Sequence, residues 1–359
     1  MRENRDRYEK NGERTPPAWE DRPPVLAVVV PCYNEEEMLP RSVPQLLGML
    51  DRLTVEGRVA PESWILFVDD GSGDGTCGVI ERFRRSDVRV GLLRLSANTG
   101  HQRALMAGLE TAAGRCDLAL SVDADLQDDL EVVGKMVDAA DEGADIVFGV
   151  RRDRSSDSWF KRNSALLFYN TMHRLGVETV YNHADFRLMS SRALEALAQY
   201  SETNLFLRGI VAQLGFRRAT VFYDRRPRLS GKSKYPLGKM INFMLDGITS
   251  FSVRPVRMIF GLGILFTLTG IAIFIYSSIR YFQGHTVAGW TSLMLSIWFC
   301  TGILLMALGV IGEYLGKIYT EVKRRPRYHV ESLQLPAVSA DSKQRPTVSK
   351  DIVHERQHG

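Results

Sequence analysis

The segment Leu118-Ala-Leu-Ser-Val-Asp123-Ala-Asp125-Leu-Gln127-Asp128 is an apolar run ending abruptly in three carboxylates and an amide. The run has the character of a buried strand, so the acids sit where a chain leaves a sheet. On an extended backbone Asp123 and Asp125 are two apart and point the same way. Hard oxygen ligands converging like this suit Mg²⁺ or Mn²⁺, ions usually accompanied by a phosphate. Acidic residues after a strand also serve as helix caps or loop solubilisers, and for Asp128 and Asp129 that plainer reading stands beside the functional one.

Positioning such acids requires an α/β framework. Between residue 25 and about residue 224, apolar runs at 25–30, 64–68, 90–95, 117–122 and 145–149 read as strands. Segments 38–53, 100–113 and 130–142 between them have helical spacing. The expectation is a mostly parallel sheet with right-handed crossovers and a ligand crevice at the carboxyl ends of its strands. Polar clusters fall at those ends: Pro31-Cys-Tyr33-Asn34-Glu35-Glu36 after the first strand, Asp69-Asp70-Gly71-Ser72 after the second, and Asp123 to Asp128 after a later one. Each alone can be a turn with a helix cap, but the repetition on one rim points to a site.

Gly71-Ser-Gly73-Asp-Gly75-Thr76 lacks the G-x-G-x-x-G spacing, and two aspartates precede it where a pyrophosphate would approach, which excludes a dinucleotide-binding dehydrogenase. The glycines fit a tight turn beside a nucleoside, with the Asp70 carboxylate able to accept from a base edge.

The C-terminal third differs in kind. Stretches 258–279 and 290–312 are mostly apolar, uncharged and each long enough to cross a bilayer. Arg254 and Arg257 precede them and Lys317, Lys323, Arg324, Arg325 and Arg327 follow, whereas the loop between carries only Arg280 and His285. By the positive-inside rule, a multi-pass protein of the inner (plasma) membrane with both termini cytoplasmic is expected. Residues 236–251 place apolar side chains at helical spacing just before the first stretch, as an interfacial amphipathic helix would. Residues 1–24 are charged and read as a disordered tail, as does the polar stretch 330–359.

Over 359 residues a net charge of +4 is too small to argue for nucleic acid, so anionic headgroups are the expected partner of the basic residues. Cys32, Cys77, Cys116 and Cys300 show no paired metal spacing and read as free thiols.

Together the polar clusters resemble the family-two glycosyltransferases of GT-A fold, and the apolar hairpin resembles their polyprenyl-phosphate branch, which includes dolichol-phosphate mannose synthases. Arg228-Leu-Ser-Gly231-Lys-Ser233-Lys234-Tyr235 and Gly312-Glu-Tyr-Leu-Gly-Lys-Ile-Tyr319 complete five motifs in the family's order, so the resemblance spans residues 25–327. It implies a catalytic domain over 25–235, juxtamembrane helices over 236–257, two spanning helices over 258–312, and a basic helix and tail over 313–359. It further implies that Pro31, Tyr33, Glu35 and Asp70 contact the nucleoside, that Asp123, Asp125 and Gln127 hold a divalent ion against the donor diphosphate, and that Arg228, Ser233 and Lys234 border both phosphates. Arg151 and Arg162 match the region receiving the lipid phosphate, whereas Arg152 and Arg154 read equally as a solvated basic loop.

The resemblance implies transfer of one hexose from a nucleotide sugar to a polyprenyl phosphate, with UDP-glucose and undecaprenyl phosphate the first choice, UDP-GlcNAc or GDP-mannose the alternatives, and inversion at the anomeric carbon. An ionised phosphate acceptor needs no general base, since its second pKa is about 6, so Asp185, where relatives with hydroxyl acceptors keep a base, is left an orienting role. Ser96-Ala97-Asn98-Thr99-Gly100-His101-Gln102 departs from the family at Ala97 and Thr99, and His101 reads as a helix-start residue or a donor contact. A processive polysaccharide synthase is disfavoured, because no Arg-Trp pair occurs. A non-catalytic nucleotide-sugar-binding scaffold is the alternative outside enzymes, and a short hairpin of this kind leads to the expectation of a homo-oligomer.

Overall fold

The computed structural model describes residue 17, residues 19–151, 183–203, 205, 207–224 and 289–336, and individual residues between 256 and 283. Its centre is one eight-stranded sheet: β1 (Leu26–Cys32), β2 (Trp64–Asp69), β3 (Val90–Leu95), β4 (Leu118–Ser121), β5 (Ile146–Arg151), β6 (His183–Ser190), β7 (Arg218–Tyr223) and β8 (Val330–Gln334). The spatial order is β7-β5-β6-β4-β1-β2-β3-β8. β1 pairs in parallel with both β2 and β4, β2 with β3, and β5 with β7. The pairs β4/β6, β5/β6 and β3/β8 are antiparallel.

Every residue of β1, β2 and β4 is buried, which is why these strands read as continuous apolar runs rather than alternating ones. Helices α1 (Leu39–Val55), α2 (Thr76–Ser86), α3 (His101–Ala112) and α4 (Val133–Asp141) make the crossovers, followed by α5 (Ser191–Ala198) and α6 (Leu207–Gln213). α3 lies close on β1 and β2 because Gly108 has no side chain: a Cβ there would overlap Val29 and Val68. The chain steps from β1 to β2 and β3 on one side, and β4 lies on the other. The carboxyl ends of β1 and β4 therefore flank a topological switch point, where open α/β sheets bind ligands.

Both tail expectations change at their inner ends. Val330–Gln334 is not a disordered tail but the edge strand β8, registered on β3 through Leu92↔Gln334, Leu93↔Leu333 and Arg94↔Ser332. Arg327 Nη2 donates to Glu110 Oε1 at 2.9 Å, Tyr328 donates its hydroxyl to Glu110, and Ser96 N donates to His329 O at 3.0 Å. At the other end Trp19 is buried and its indole N–H donates to Asp141 at 2.7 Å, while Arg22 makes a bidentate pair with Asp117 at 2.8 and 2.9 Å. Both changes come from long-range pairing, which local polarity does not report.

The chain divides into two compact units, one of Met1–Ser156, Val180–Ser233 and Pro326–Gly359, the other of Asp157–Thr179 and Lys234–Arg325. In the second unit α7 (Trp290–Val322) runs for 33 residues and does not stop at 312, because Glu313, Lys317 and Glu321 continue the helix without a breaker. Within it Phe299–Val322 is long and apolar enough to cross a membrane, and none of that window is buried against protein. It is the one such helix among the described residues. The first expected span, 258–279, is described only at individual positions, where Leu265, Leu268 and Ile275 are helical and exposed. The interfacial helix expected at 236–251 lies outside the described residues.

Candidate active site

Three loops build the rim over the β1/β4 switch point. The loop after β1 is tied to the loop after β2: Asn34 N donates to Ser72 Oγ at 3.0 Å, Gly73 N to Asn34 Oδ1 at 3.0 Å, Glu35 N to Thr76 Oγ1 at 2.8 Å and Gly75 N to Glu36 Oε2 at 2.9 Å. Asn34 takes a left-handed backbone (φ 54°) that its short polar side chain tolerates, and Tyr33 beside it is 47% exposed. Gly71, at φ 64°, lies against the 97–98 backbone, and a Cβ there would stand 2.6 Å from the Ala97 carbonyl carbon.

Asp70, expected to contact a base, is held by donors of the 99–100 segment. Its carboxylate is 2% exposed and accepts from Thr99 N at 2.7 Å, Thr99 Oγ1 at 2.9 Å and Gly100 N at 2.9 Å. Asp70 thus fixes the loop entering α3, and Thr99, a departure from the family pattern, supplies two of the three donors.

The Asp123–Asp128 loop follows β4. The Asp123 side chain keeps 38% of its surface exposed, yet the surrounding protein desolvates it and the Asp128, Asp185 and Asp125 charges oppose its ionisation. Against a counter-pull from His101, its pKa is pushed up to about 6. His101 Nε2 stands 3.6 Å from Asp123 Oδ1 and 3.4 Å from Asp185 Oδ2. Burial lowers the His101 pKa, but its hydrogen bond to Asp185 and the two carboxylate charges outweigh this and leave it raised. Asp185 in turn pairs with Arg187 at 2.6 Å and Arg208 at 3.4 Å. Burial pushes Asp185 up, but His101 and the two guanidinium groups hold it well below the usual carboxylate range.

Crowded carboxylates with one pushed up in pKa form a site that a cation would relieve. Among the described residues no three His, Cys, Asp or Glu side chains converge as a ready-made metal cage. Asp123 and Asp125 would be the carboxylates to hold such an ion, which would supply Lewis-acid stabilisation of a phosphate. Gln127 is 3% exposed and its side-chain Nε2 has no hydrogen-bond partner, while its backbone N donates to Asp125 Oδ1 at 3.3 Å. That orphaned nitrogen is a hydrogen-bond donor suited to a ligand oxygen, and Gln127 would reach a cation only through its Oε1.

The chain's sequence matches known proteins along most of its length. The family model Glycosyl transferase family 2 matches residues 27–198. YkoT of Bacillus subtilis (strain 168), named an uncharacterized glycosyltransferase, is 52% identical over 309 residues, 86% of this chain and 91% of that protein. The chain belongs to glycosyl transferase family 2. The SfII prophage-derived bactoprenol glucosyl transferase of Shigella flexneri is 36% identical over 311 residues, 85% of this chain and 97% of that protein. Among solved structures, glucosyl-3-phosphoglycerate synthase from Mycobacterium tuberculosis in complex with phosphoglyceric acid is similar at a TM-score of 0.42 and 16% identity, covering 64% of this chain and 79% of that one. That likeness is distant and carries no chemistry here.

For a family-two glycosyl transferase of GT-A type, the structure puts the expected Pro31, Tyr33, Glu35, Asp123, Asp125 and Gln127 on the rim at the switch point. Arg151 ends β5, where its Nη2 donates to Asp128 at 3.0 Å and its Nε to the Tyr223 hydroxyl at 3.1 Å. Arg162, Arg228, Ser233 and Lys234, like Arg152 and Arg154, lie outside the described residues. Sequence reasoning missed the His101 bridge, the Arg187 and Arg208 clamp on Asp185, and the burial of Asp128. Their only trace in sequence is charge in segments otherwise apolar, such as Phe186-Arg187-Leu188.

Proposed function

We propose that this chain is an inverting glycosyltransferase moving one hexose, glucose from UDP-glucose as first choice, to a polyprenyl phosphate such as undecaprenyl phosphate at the cytoplasmic face of a membrane. The observation carrying this is the pairing, in one chain, of a carboxylate-crowded crevice at a sheet switch point with an unburied apolar helix long enough to span a bilayer. The names of relatives such as the bactoprenol glucosyl transferase of Shigella phage SfX, 36% identical, support the acceptor and the sugar.

In this reading the 33–36 and 71–76 loops cradle the nucleoside, with Tyr33 and Glu35 beside it and Asp70 holding the neighbouring 99–100 backbone in place. Asp123, Asp125 and Gln127 hold Mg²⁺ or Mn²⁺, which when bound supplies Lewis-acid stabilisation of the leaving diphosphate. Arg228 is assigned to that diphosphate, and Arg151 to the acceptor phosphate, which it would orient by charge-assisted hydrogen bonds. Asp185 is a poor base because His101, Arg187 and Arg208 stabilise its anion. The reaction needs none: an acceptor phosphate with its second pKa about 6 is already a dianion at neutral pH. Its oxygen attacks the anomeric carbon, the bond to the nucleoside diphosphate breaks, and configuration inverts. A two-helix membrane hairpin and a homo-oligomer belong to the same proposal.

The test incubates full-length protein and undecaprenyl phosphate with labelled UDP-glucose, UDP-GlcNAc or GDP-mannose, with Mg²⁺, Mn²⁺ or EDTA, beside Asp125→Ala. The expected result is label entering the lipid phase from UDP-glucose, abolished by EDTA and reduced at least about a hundredfold in the variant. Label from another donor corrects the sugar. Donor binding without transfer from any donor supports the scaffold reading.

A further inference from the structure

The ring of contacts formed by Asp128, Arg151 and Tyr223 has no part in the mechanism above beyond the single phosphate role of Arg151. Arg151 and Tyr223 are direct register partners across the parallel β5/β7 pair. The Tyr223 hydroxyl donates to Asp128 Oδ1 and accepts from Arg151 Nε at 3.1 Å, and Arg151 Nη2 donates to the same Asp128 oxygen at 3.0 Å. The two holders are sealed in, the Asp128 side chain 1% exposed and Tyr223 2%, whereas the Arg151 side chain keeps 25% of its surface. Phe186 packs edge-on to Tyr223 with ring centroids 5.4 Å apart, an approach that Gly149 permits, since a Cβ there would overlap the Phe186 ring.

Asp128 directly follows Gln127 in the loop of Asp123 and Asp125. A buried ion pair is a poor device for stability alone, because desolvation offsets most of the attraction. A planar guanidinium gripped along one edge by two fixed oxygens is, however, held in one orientation.

We propose that Asp128 and Tyr223 are positioning residues that aim Arg151 at the acceptor phosphate and tie it to the acidic loop that faces the donor. This rests on the acceptor assigned under Proposed function. The consequence is a split by substrate: removing the Tyr223 hydroxyl weakens the hold on the lipid phosphate and leaves the nucleotide alone.

Tyr223→Phe keeps the aromatic ring and removes the hydroxyl that bridges the other two, and Asp128→Asn keeps the shape and removes the charge. Both are made in the full-length protein in lipid nanodiscs. Binding of undecaprenyl phosphate and of UDP-glucose is measured separately by calorimetry, with turnover and melting temperature alongside. Tyr223→Phe is expected to weaken undecaprenyl-phosphate binding about tenfold, with UDP-glucose binding unchanged, and Asp128→Asn to weaken it further in the same direction. Unchanged lipid binding in both variants overturns the proposal. So does a parallel loss of both ligands with a lowered melting temperature, which marks a purely structural ring. Absence of lipid binding by the wild type overturns it together with the assigned acceptor. If the wild type binds the lipid but transfers no sugar, the assigned reaction fails while the binding comparison still decides the role of the ring.

Discussion

Asp185 shows how a residue's partners decide its chemistry. A carboxylate on a strand facing the crevice has the position of a general base, but Arg187, Arg208 and His101 stabilise its anion and remove its appetite for a proton. A depressed native pKa means the unfolded chain binds the proton more readily, so Asp185 contributes stability at pH values above its ordinary 3.8 and that contribution is lost as pH falls below it. Asp185→Asn is expected to lower stability at pH 7 by about 3 kcal/mol, because Arg187, 1% exposed, is left as a buried charge short of its counterion. The variant should also lose less stability than the wild type between pH 5 and pH 3. Thermal unfolding of both proteins across that range, in detergent, checks this; parallel curves would show that Asp185 is not the titrating group. Asp70 and Asp128 teach a related lesson, since each reads as a ligand or a loop acid but is buried with fixed donors.

At the scale of elements, β8 does most to complete the site's support. It covers the edge of β3, and Glu331 stands 3.3 Å from Arg94, whose Nε lies 3.6 Å from the buried Asp69 carboxylate at the end of β2. The segment just before it clamps Glu110 on α3, the helix that carries His101 at its start. Truncation after Pro326 uncovers the β3 edge and removes the clamp. An uncovered edge recruits other chains, so the truncated protein is expected to elute from size exclusion as aggregate and to be cleaved faster by protease within 90–100. A monodisperse, equally resistant truncation product would show β8 to be dispensable.

For the molecule as a whole, α7 carries the candidate membrane span. Thirty-three helical residues span about 50 Å, beyond the roughly 30 Å of a hydrocarbon core. The excess, together with Lys323, Arg324 and Arg325 after it, suits a helix that leaves the bilayer into a basic headgroup-facing collar. Leu304, Leu305, Met306 and Leu308 are each more than 60% exposed, an apolar surface of the kind that marks a membrane or protein contact. The protein is expected to stay in the membrane pellet after alkaline carbonate extraction and to enter solution only with detergent. Release by carbonate would sink the spanning reading.

The sequence by itself determined the α/β class, strands β1 to β5, the acidic loop at a strand end, the family and the apolar C-terminal region, because each is written in local pattern: runs buried on both faces, residues at fixed offsets, long uncharged stretches. β6 and β7 escaped because Asp185, Arg187 and Arg218 interrupt their apolar character; Asp185 and Arg187 pair with each other along β6, and His101 and Arg208 from other segments complete the cluster. β8 and the Trp19 and Arg22 anchors escaped because a polar segment becomes ordered only when another element offers it a ladder, a pocket or a counterion. Tertiary structure alone decided that His101 bridges two carboxylates, that Asp185 is held as an anion, and that Asp128 is a buried holder of Arg151. Charge pairing and burial depend on distances between segments that can be more than two hundred residues apart, and no local spacing encodes those distances.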